Sequence, residues 1–591
     1  MLSKTSAAQF RTEIAQYKEE LDLSIINDEA ETKGNRTNKF NETEYSKIKA
    51  LIPSFNKKYE NSLVIEEDKL VYKGNNKEIY KKAVDMGLIS ENDLLDDEIL
   101  EELQPFITEW TVEANDTITL PIGGTCDFTV NYGDGSDDYK VTSSTDEDRI
   151  HTYATAGTYT VTIKGKCQNF NFNKVNISKD KITRLIQWGV LGKGLTDNYY
   201  SFYQCTKLKG DIPSPSLNSF KKVTDFQILF QGCNSLEGPI PENLFYNCPN
   251  IGSFGSGYWY GCFYGCTNLS GSIPENLLKK CTKVSKFNCM FRDCKNLTGS
   301  IPENLFANNE NVQDFQCLFS NCSGLTGSIP ERLFEKCTVV KSFDNTFSGC
   351  SNLTGTIPEK IFYNCPEIQS LSGTFSGCSK LTGEIPENIF SNCTKIQNLS
   401  GTFQNCKGLT GSIPKKLLKN CPLITIFGQS YYSGCFKGCT GLSGTIPKEL
   451  FENCTNVTNF NCVFSGCTGL TGDIPEDLFK NNTKVQDFQC LFSSCTGLTG
   501  NIPEKLFENC TEVKSFDNTF SGCSNLTGEL PRKIFDNSNK VNNFLGTFSG
   551  CSKLNGSAPN LWDRTNVTSN SYCFRNCTNL SNYNDIPSNW K

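Results

Sequence analysis

Residues 322–350 read CSGLTGSIPERLFEKCTVVKSFDNTFSGC, and residues 350–378 read CSNLTGTIPEKIFYNCPEIQSLSGTFSGC. Each stretch begins and ends on cysteine, and the second restates the first 28 residues on. At 591 residues the chain is too long for one ordinary core, so a fixed period is the first feature to follow. The anchor cysteine recurs from Cys205, Cys233, Cys266 and Cys294 onward to Cys551 and Cys577, at spacings of 28 except for two of 33 and a final 26. That is a solenoid of about thirteen coils with a degenerate C-terminal end.

In the unit from Cys322 the apolar positions are Leu325, Ile329, Leu333, Phe334, Cys337, Val340, Phe343 and Phe347. They are too widely spread for one strand and too irregular for one long helix, so the expected unit is a coil of β structure plus short helical turns. Gly327 and Pro330 turn the chain, glycine by tolerating left-handed angles and proline by fixing its own. One unit cannot bury its apolar face alone, whereas stacked units bury a continuous core at roughly 25 cal/mol per Å² of apolar surface.

The 31 cysteines invite readings as disulfides, metal ligands or redox groups. Coils about 4.8 Å apart place residues 28 apart in register. Parallel side chains at that spacing are poorly aimed for a disulfide, which wants β-carbons about 3.8 Å apart. Packing of a small, readily buried side chain is the expectation for the anchor row. A second row, Cys281, Cys337, Cys365, Cys393, Cys421, Cys454 and Cys510, is interrupted by Asn309, Asn482 and Ser538, which supports the same view. Further cysteines lie five residues before an anchor (Cys289, Cys317, Cys462, Cys490) or four before (Cys262, Cys435, Cys573). Such pairs suit zinc, but no third and fourth ligand accompany them, so no metal or cofactor is expected. The lone His151 removes most catalytic imidazole constellations, and no enzyme is expected.

Before the repeats the composition changes twice. Residues 1–105 are rich in Lys, Glu and Asn, and read as a helical or α+β head with strand-like SLVIEEDKLVYKG and a connector helix between Ser90 and Pro105. Residues 106–178 carry TITLPI, DFTVNY and TYTVTIKG, alternating in the period of half-buried strands. VNYGDGSDDYKV and HTYATAGTYTVTIKG resemble PKD-like β-sandwich modules. The resemblance implies a spacer or presentation domain, with His151 in a structural hydrogen bond near a strand start and Cys126 and Cys167 as a possible disulfide flanking its strands. Asp134, Asp137 and Asp138 lack the full oxygen set of a calcium loop and read as a tight turn. The solenoid then occupies 179–591. Its FSGCSNLTGTIPEKIF copies resemble BspA-like leucine-rich-repeat surface proteins, and LTGSIP looks like the tail of plant-type leucine-rich repeats. That resemblance implies a cell-surface or extracellular binding protein without catalytic residues; the 28-residue unit is longer than that family's common repeats.

A net charge of −7 with no basic block argues against nucleic acid, and no apolar run approaches the roughly 20 residues that span a bilayer. MLSKTSAAQFRTEIAQYKEELDLSI lacks a secretory apolar core, so the expectation is another export route or a leader absent from this chain. The same segment weakly resembles the part of a pilin after its membrane helix, which keeps a structural or receptor-binding subunit of an appendage or virus particle as the alternative. The two 33-residue units lie 173 residues apart, as though a six-coil block had been duplicated. They add Tyr258, Trp259 and Tyr260 in one copy and Tyr431 and Tyr432 in the other. These aromatics are the candidate ligand-binding residues, for a protein or glycan partner on a host or neighbouring cell surface; the plain alternative is that the loops fold back over the solenoid flank. Asn268, Asn296, Asn352, Asn525 and Asn579 form sequons at one repeat position.

Overall fold

The computed structural model describes residues 105–591 except 175–177, 190, 197–200, 216–219, 247 and 430, and, before them, two strands. These strands, Leu63–Glu66 (β1) and Lys69–Tyr72 (β2), pair antiparallel within the stretch read as strand-like. The helices expected elsewhere in 1–105 lie outside the described residues. The chain divides into two compact units, Met1–Leu103 and Gln104–Lys591.

The second unit opens with strands Phe106–Val112 (β3), Thr117–Thr119 (β4), Ile122–Asn131 (β5), Tyr139–Ser143 (β6), Ile150–Thr152 (β7), Gly157–Phe170 (β8) and Ile182–Gln187 (β9). Five make an antiparallel sheet in the order β6-β5-β8-β3-β9, and β4 pairs with β7. The period-two alternation drives this: Phe106, Trp110 and Val112 of β3 and Val161 and Ile163 of β8 point inward. The solenoid was expected to begin at 179, but β9 lies beyond that boundary and belongs to the sheet, pairing with β3 from Ile107 to Trp110. Its Thr183 carbonyl accepts the Lys209 amide at 2.9 Å, so the outer edge of β9 receives the repeats. Aromatic packing carries the core across the junction, from Phe170 to Phe202 at 5.6 Å and from Phe202 to Phe230 at 5.4 Å.

The repeats wind as a solenoid with little formal strand. Parallel one-residue bridges link equivalent residues of successive coils, as in Asp314, Ser342, Ser370 and Asn398. The N–H groups divide their work by alternation. Phe315, Cys317, Phe319 and Asn321 donate to Ser342, Asp344, Thr346 and Ser348 of the next coil at 2.6–3.0 Å. Leu318, Ser320 and Cys322 instead close turns onto carbonyls three residues back in their own coil. The expected helical turn after Pro330 is a set of such turns, Leu333 to Pro330 and Cys337 to Phe334, and does not extend to an α-helix. Turning while staying in the ladder requires left-handed residues, which fall five before the anchor, one before it and five after it, as at Cys317, Asn321 and Gly327.

The core is built of self-stacking rows. Phe291, Phe319, Phe347, Phe375 and Phe403 follow one another at 5.7–5.9 Å, nearly parallel. All 31 cysteines are buried. In the anchor row each thiol from Cys233 on donates to the carbonyl of a phenylalanine one coil back, as Cys322 to Phe291 at 2.9 Å and Cys350 to Phe319 at 3.0 Å. In the second row, which also includes Cys248, the thiols reach the carbonyl of the preceding row member, as Cys365 to Cys337 at 3.4 Å. Asn309 and Asn482 copy that bond through Nδ2, at 2.8 Å to Cys281 and Cys454, but their Oδ1 atoms have no protein partner. Arg564 ends the row by donating to Ser538 and Phe535 carbonyls at 2.9 and 2.6 Å. Trp562 and Trp590 close the last coil against Phe574, each with ring centroids 6.4 Å from it.

An unpartnered buried carbonyl oxygen costs about 1–3 kcal/mol, so Asn309→Cys, which restores the row's own residue, is expected to stabilise the chain by about 1 kcal/mol. Denaturant unfolding of the single variant checks this; lower stability shows that the amide is needed.

Candidate functional site

The five extra residues of each long unit form a hairpin on one flank. Ser253–Ser256 (β10) pairs with Tyr260–Gly261 (β11), and Gly428–Gln429 (β12) pairs with Ser433–Gly434 (β13). The hairpins stand directly against the next coil. A β-carbon on Gly255 or Gly428 would lie 1.7 Å from the carbonyl oxygen of Asn288 or Asn461, so only glycine fits there. A glutamine from the preceding coil clamps each hairpin: Gln231 accepts from Gly261 at 3.2 Å and Gln404 from Gly434 at 3.4 Å.

The structure separates the five candidate aromatics. Tyr258 and Tyr431 keep their rings partly exposed but lean along the rod, donating their hydroxyls to Asp344 and Asp517, three coils beyond their own. Trp259 and Tyr432 stay in solvent, 64% and 81% exposed, and Tyr260 is exposed to a lesser degree. Each loop is also held by a cation. Arg292 donates to the Tyr258 carbonyl and sits 5.3 Å over the Trp259 ring; Lys437 donates to the Tyr431 carbonyl at 2.6 Å.

Beneath the loops run two rows that the period alone does not reveal as special. Six residues before the anchor stand Asn288, Gln316 and Asp344, then Asn461, Gln489 and Asp517 in the second copy. Asn288 donates to Asp314 at 2.8 Å and Gln489 to Asp517 at 3.1 Å. Asp344 accepts from Ser370 at 2.5 Å and from the Ser372 amide at 2.9 Å. Burial pushes the Asp344 carboxyl up, and the bonds from Ser370, Ser372 and Tyr258 only partly offset it. Five residues before the anchor the row reads Gly261, Cys289, Cys317, Asn345, Gly373 and Gly401, and then Gly434, Cys462, Cys490, Asn518 and Gly546.

In the sheet, His151 Nε2 donates to the Asp134 carboxylate at 2.7 Å, and its ring stacks on Tyr132 at 4.2 Å. Burial opposes ionisation of Asp134, but bonds from Ser136 and His151 outweigh it and hold the carboxyl at about 2. Asp134 is thereby committed to the turn, and Asp138 accepts from Asn131 at 2.6 Å. Cys126 and Cys167 are directly opposed on β5 and β8, with sulfurs 3.1 Å apart. Among the described residues no cluster of three His, Cys, Asp or Glu forms a metal cradle, and no helix is long and apolar enough to cross a membrane. The Asn352 and Asn525 amides donate to the preceding coil at 2.6 and 2.7 Å.

Because the folded Asp344 pKa is raised above its unfolded value of about 3.8, ionisation weakens the fold as pH rises through the window that begins there. Asp344→Asn is expected to match the wild type near pH 4 and to gain on it toward pH 7, read by urea unfolding at each pH. A constant difference between the two would show that Asp344 is not the titrating group.

Solved structures similar to the chain include two from Arabidopsis. One is the Arabidopsis receptor kinase HAESA in complex with the peptide hormone IDA and the co-receptor SERK1, at 19% identity and a TM-score of 0.28. The other is the HAESA ectodomain with an N-terminally extended IDA peptide, at 20% and 0.29. The matches cover 62% and 64% of this chain and 65% and 72% of those chains. No curated protein matches it. A family model matches at residues 196–332, 258–358, 334–421, 431–533 and 507–591, together more than half of the chain. The chain therefore belongs to the family described as Mycoplasma protein of unknown function, DUF285.

Proposed function

We propose that this chain is a non-enzymatic binding protein of the cell surface or extracellular space, in which a rigid leucine-rich-repeat-type solenoid, BspA-like in pattern, presents two aromatic loops to a protein or glycan partner. One observation carries the reading: Trp259 and Tyr432 stand exposed on loops that are otherwise tied down at the backbone and through Tyr258 and Tyr431. Rigid aromatic area exposed at low entropy cost is suited to flat apolar or sugar surfaces. A solenoid repeats the same side chains coil after coil, so specificity falls to positions that break the period. The loops lie six coils apart, about 30 Å at the usual strand spacing, and two weak contacts at fixed separation raise avidity. The sheet before the solenoid supports a PKD-like presentation module, since the GDGSDD turn and the HTY strand meet through Asp134 and His151.

Trp259→Ser, Tyr260→Ser and Tyr432→Ser combined are expected to abolish binding of the labelled full chain to a glycan array and to an array of receptor ectodomains, with unchanged thermal stability. Whichever array binds the wild type identifies the partner class. Binding that survives the triple substitution refutes the site.

An oxidising location favours a disulfide between sulfurs already as close as those of Cys126 and Cys167. In protein taken from its native location, the peptides carrying these two are expected to alkylate only after reduction, while anchor cysteines such as Cys322 alkylate on unfolding alone. Free Cys126 and Cys167 in such protein count against the extracellular placement.

A further inference from the structure

The four cysteines five residues before an anchor behave unlike the other solenoid thiols. Anchor thiols are spent on backbone carbonyls one coil away, and burial holds Cys322 and Cys495 well above their ordinary pKa. Cys289 and Cys317, by contrast, hold the same position in successive coils, close enough for each to affect the other's ionisation, as do Cys462 and Cys490. All four have left-handed backbones, with φ of 52°, 56°, 55° and 54°. Elsewhere in the row that region is taken by Asn345, Gly373, Gly401, Asn518 and Gly546, residues that adopt it at little cost, and by Tyr572 at the C-terminal end, so each cysteine pair carries backbone strain that glycine or asparagine would avoid. The pair occurs once in each copy of the duplicated block and at the same place in it, which is the place the loop crosses.

The loop covers the pair. Tyr258 starts one coil before Cys289 and reaches Asp344 one coil beyond Cys317, so its side chain passes along both cysteine coils. The Cys289 thiol donates to the Gly257 carbonyl of the loop at 3.4 Å, and the β-carbon position of Gly261 is 2.0 Å from the Cys289 carbonyl oxygen. A cation stands at each pair: Arg292 in the first block and Lys437 in the second. The Cys317 side chain beside it and the charge of Arg292 hold the Cys289 thiol below its ordinary value against the effect of burial, and Cys462 is held down in the same way by Cys490 and Lys437. A thiol whose ionisation a neighbouring cation favours, with a second thiol beside it, is the arrangement of a redox-responsive pair.

We propose that Cys289–Cys317 and Cys462–Cys490 are two reversible dithiol–disulfide pairs that close between adjacent coils beneath the aromatic loops when hydrogen peroxide reaches them. The thiolate sulfur of one member attacks the peroxide O–O bond, forming an S–O bond and releasing hydroxide, which takes a proton to become water. The partner sulfur then attacks the sulfenic sulfur, forming the S–S bond and expelling the second oxygen as water. Two thiols lose two electrons in total, and one peroxide is reduced to two waters. Coils about 4.8 Å apart must approach by about 1 Å to seat the bond, which leaves it strained and readily reduced by a dithiol. Oxidation also removes the S–H that Cys289 gives to Gly257, so the state of the pair is transmitted to the loop above it.

The test uses the reduced full chain, treated with hydrogen peroxide, unfolded in the presence of N-ethylmaleimide, digested and examined by mass spectrometry. The expected products are Cys289–Cys317 and Cys462–Cys490 linked peptides, at about tenfold or more the yield of any anchor link such as Cys294–Cys322, and lost on adding dithiothreitol. Even modification across all cysteines, or sulfinic and sulfonic acids at these four, overturns the proposal. Cys289→Gly installs the residue that this row carries in other coils, so folding is expected to persist. It should abolish the first link and leave the second as an internal control; failure of the second link in that variant also overturns the proposal. Amide hydrogen exchange across residues 255–261 is expected to quicken on oxidation of the wild type and not of Cys289→Gly, and unchanged exchange in both refutes the coupling to the loop.

Discussion

The structure depends on the amide ladder between coils: before each anchor alternate N–H groups are given to the coil ahead and the others close turns within their own, while residues such as Gln313 and Thr326 donate to the coil behind. A 28-residue period in register means that each side chain has its own counterpart as neighbour, one coil away on either side. A row survives only if its residue tolerates itself. Phenylalanine does so by parallel stacking near 5.8 Å, and cysteine by donating its S–H to a backbone carbonyl one coil back, which leaves the next thiol unaffected. Asparagine is the marginal case: at positions 309 and 482 the amide finds a carbonyl while its oxygen is stranded. The cysteine content is therefore a packing solution, chosen where the space is narrow and a donor is useful.

The same constraint confines novelty to interruptions. A substitution inside a core row disturbs both neighbours, whereas an insertion that loops out on the flank disturbs only the surface it covers. The two hairpins satisfy this by backing onto the next coil through Gly255 and Gly428 and by tying each tyrosine to an aspartate three coils on. Those aspartates, together with Asn288, Gln316, Asn461 and Gln489, put the longer polar side chains of the row along the flank that the hairpin tyrosines lean over. Ser372 and Ser400 take the same row position between the two hairpins, and the Ser400 hydroxyl meets that of Ser433 on the second hairpin at 2.7 Å.

Much of this was legible in the sequence because periodicity is a translation, and a translation fixes which residues are neighbours. The anchor row, the interruptions at Asn309, Asn482 and Ser538, and the two long units all follow from counting. What counting cannot provide is direction. Nothing in GSGYWYG says that the loop leans along the rod and not away from it, so the separation of Tyr258 from Trp259 into tethered and exposed residues appears only in space. Strand β9 was hidden for a related reason: ITRLIQ looks like the start of the repeats, and it is the edge that both the sheet and the first coil use. The second cysteine row also extends one coil further back, to Cys248, where the 33-residue unit throws off the spacing.

The two loops resemble each other in more than ancestry. In the first block the cation that holds the loop comes from Arg292, on the coil after the hairpin; in the second it comes from Lys437, on the hairpin's own coil. The exchanged positions carry Tyr264 in the first block and Ser465 in the second. Both cations nevertheless reach the carbonyl of the equivalent residue, Tyr258 or Tyr431, and both lie beside the paired thiols beneath. Two different sequence changes that arrive at one contact show that the loop carbonyl needs a positive partner. The reason is geometric: the loop carbonyls lie outside the amide ladder between coils and are met by side chains instead, Gly257 by the Cys289 thiol, Trp259 by the Gln231 amide, and Tyr258 or Tyr431 by the cation.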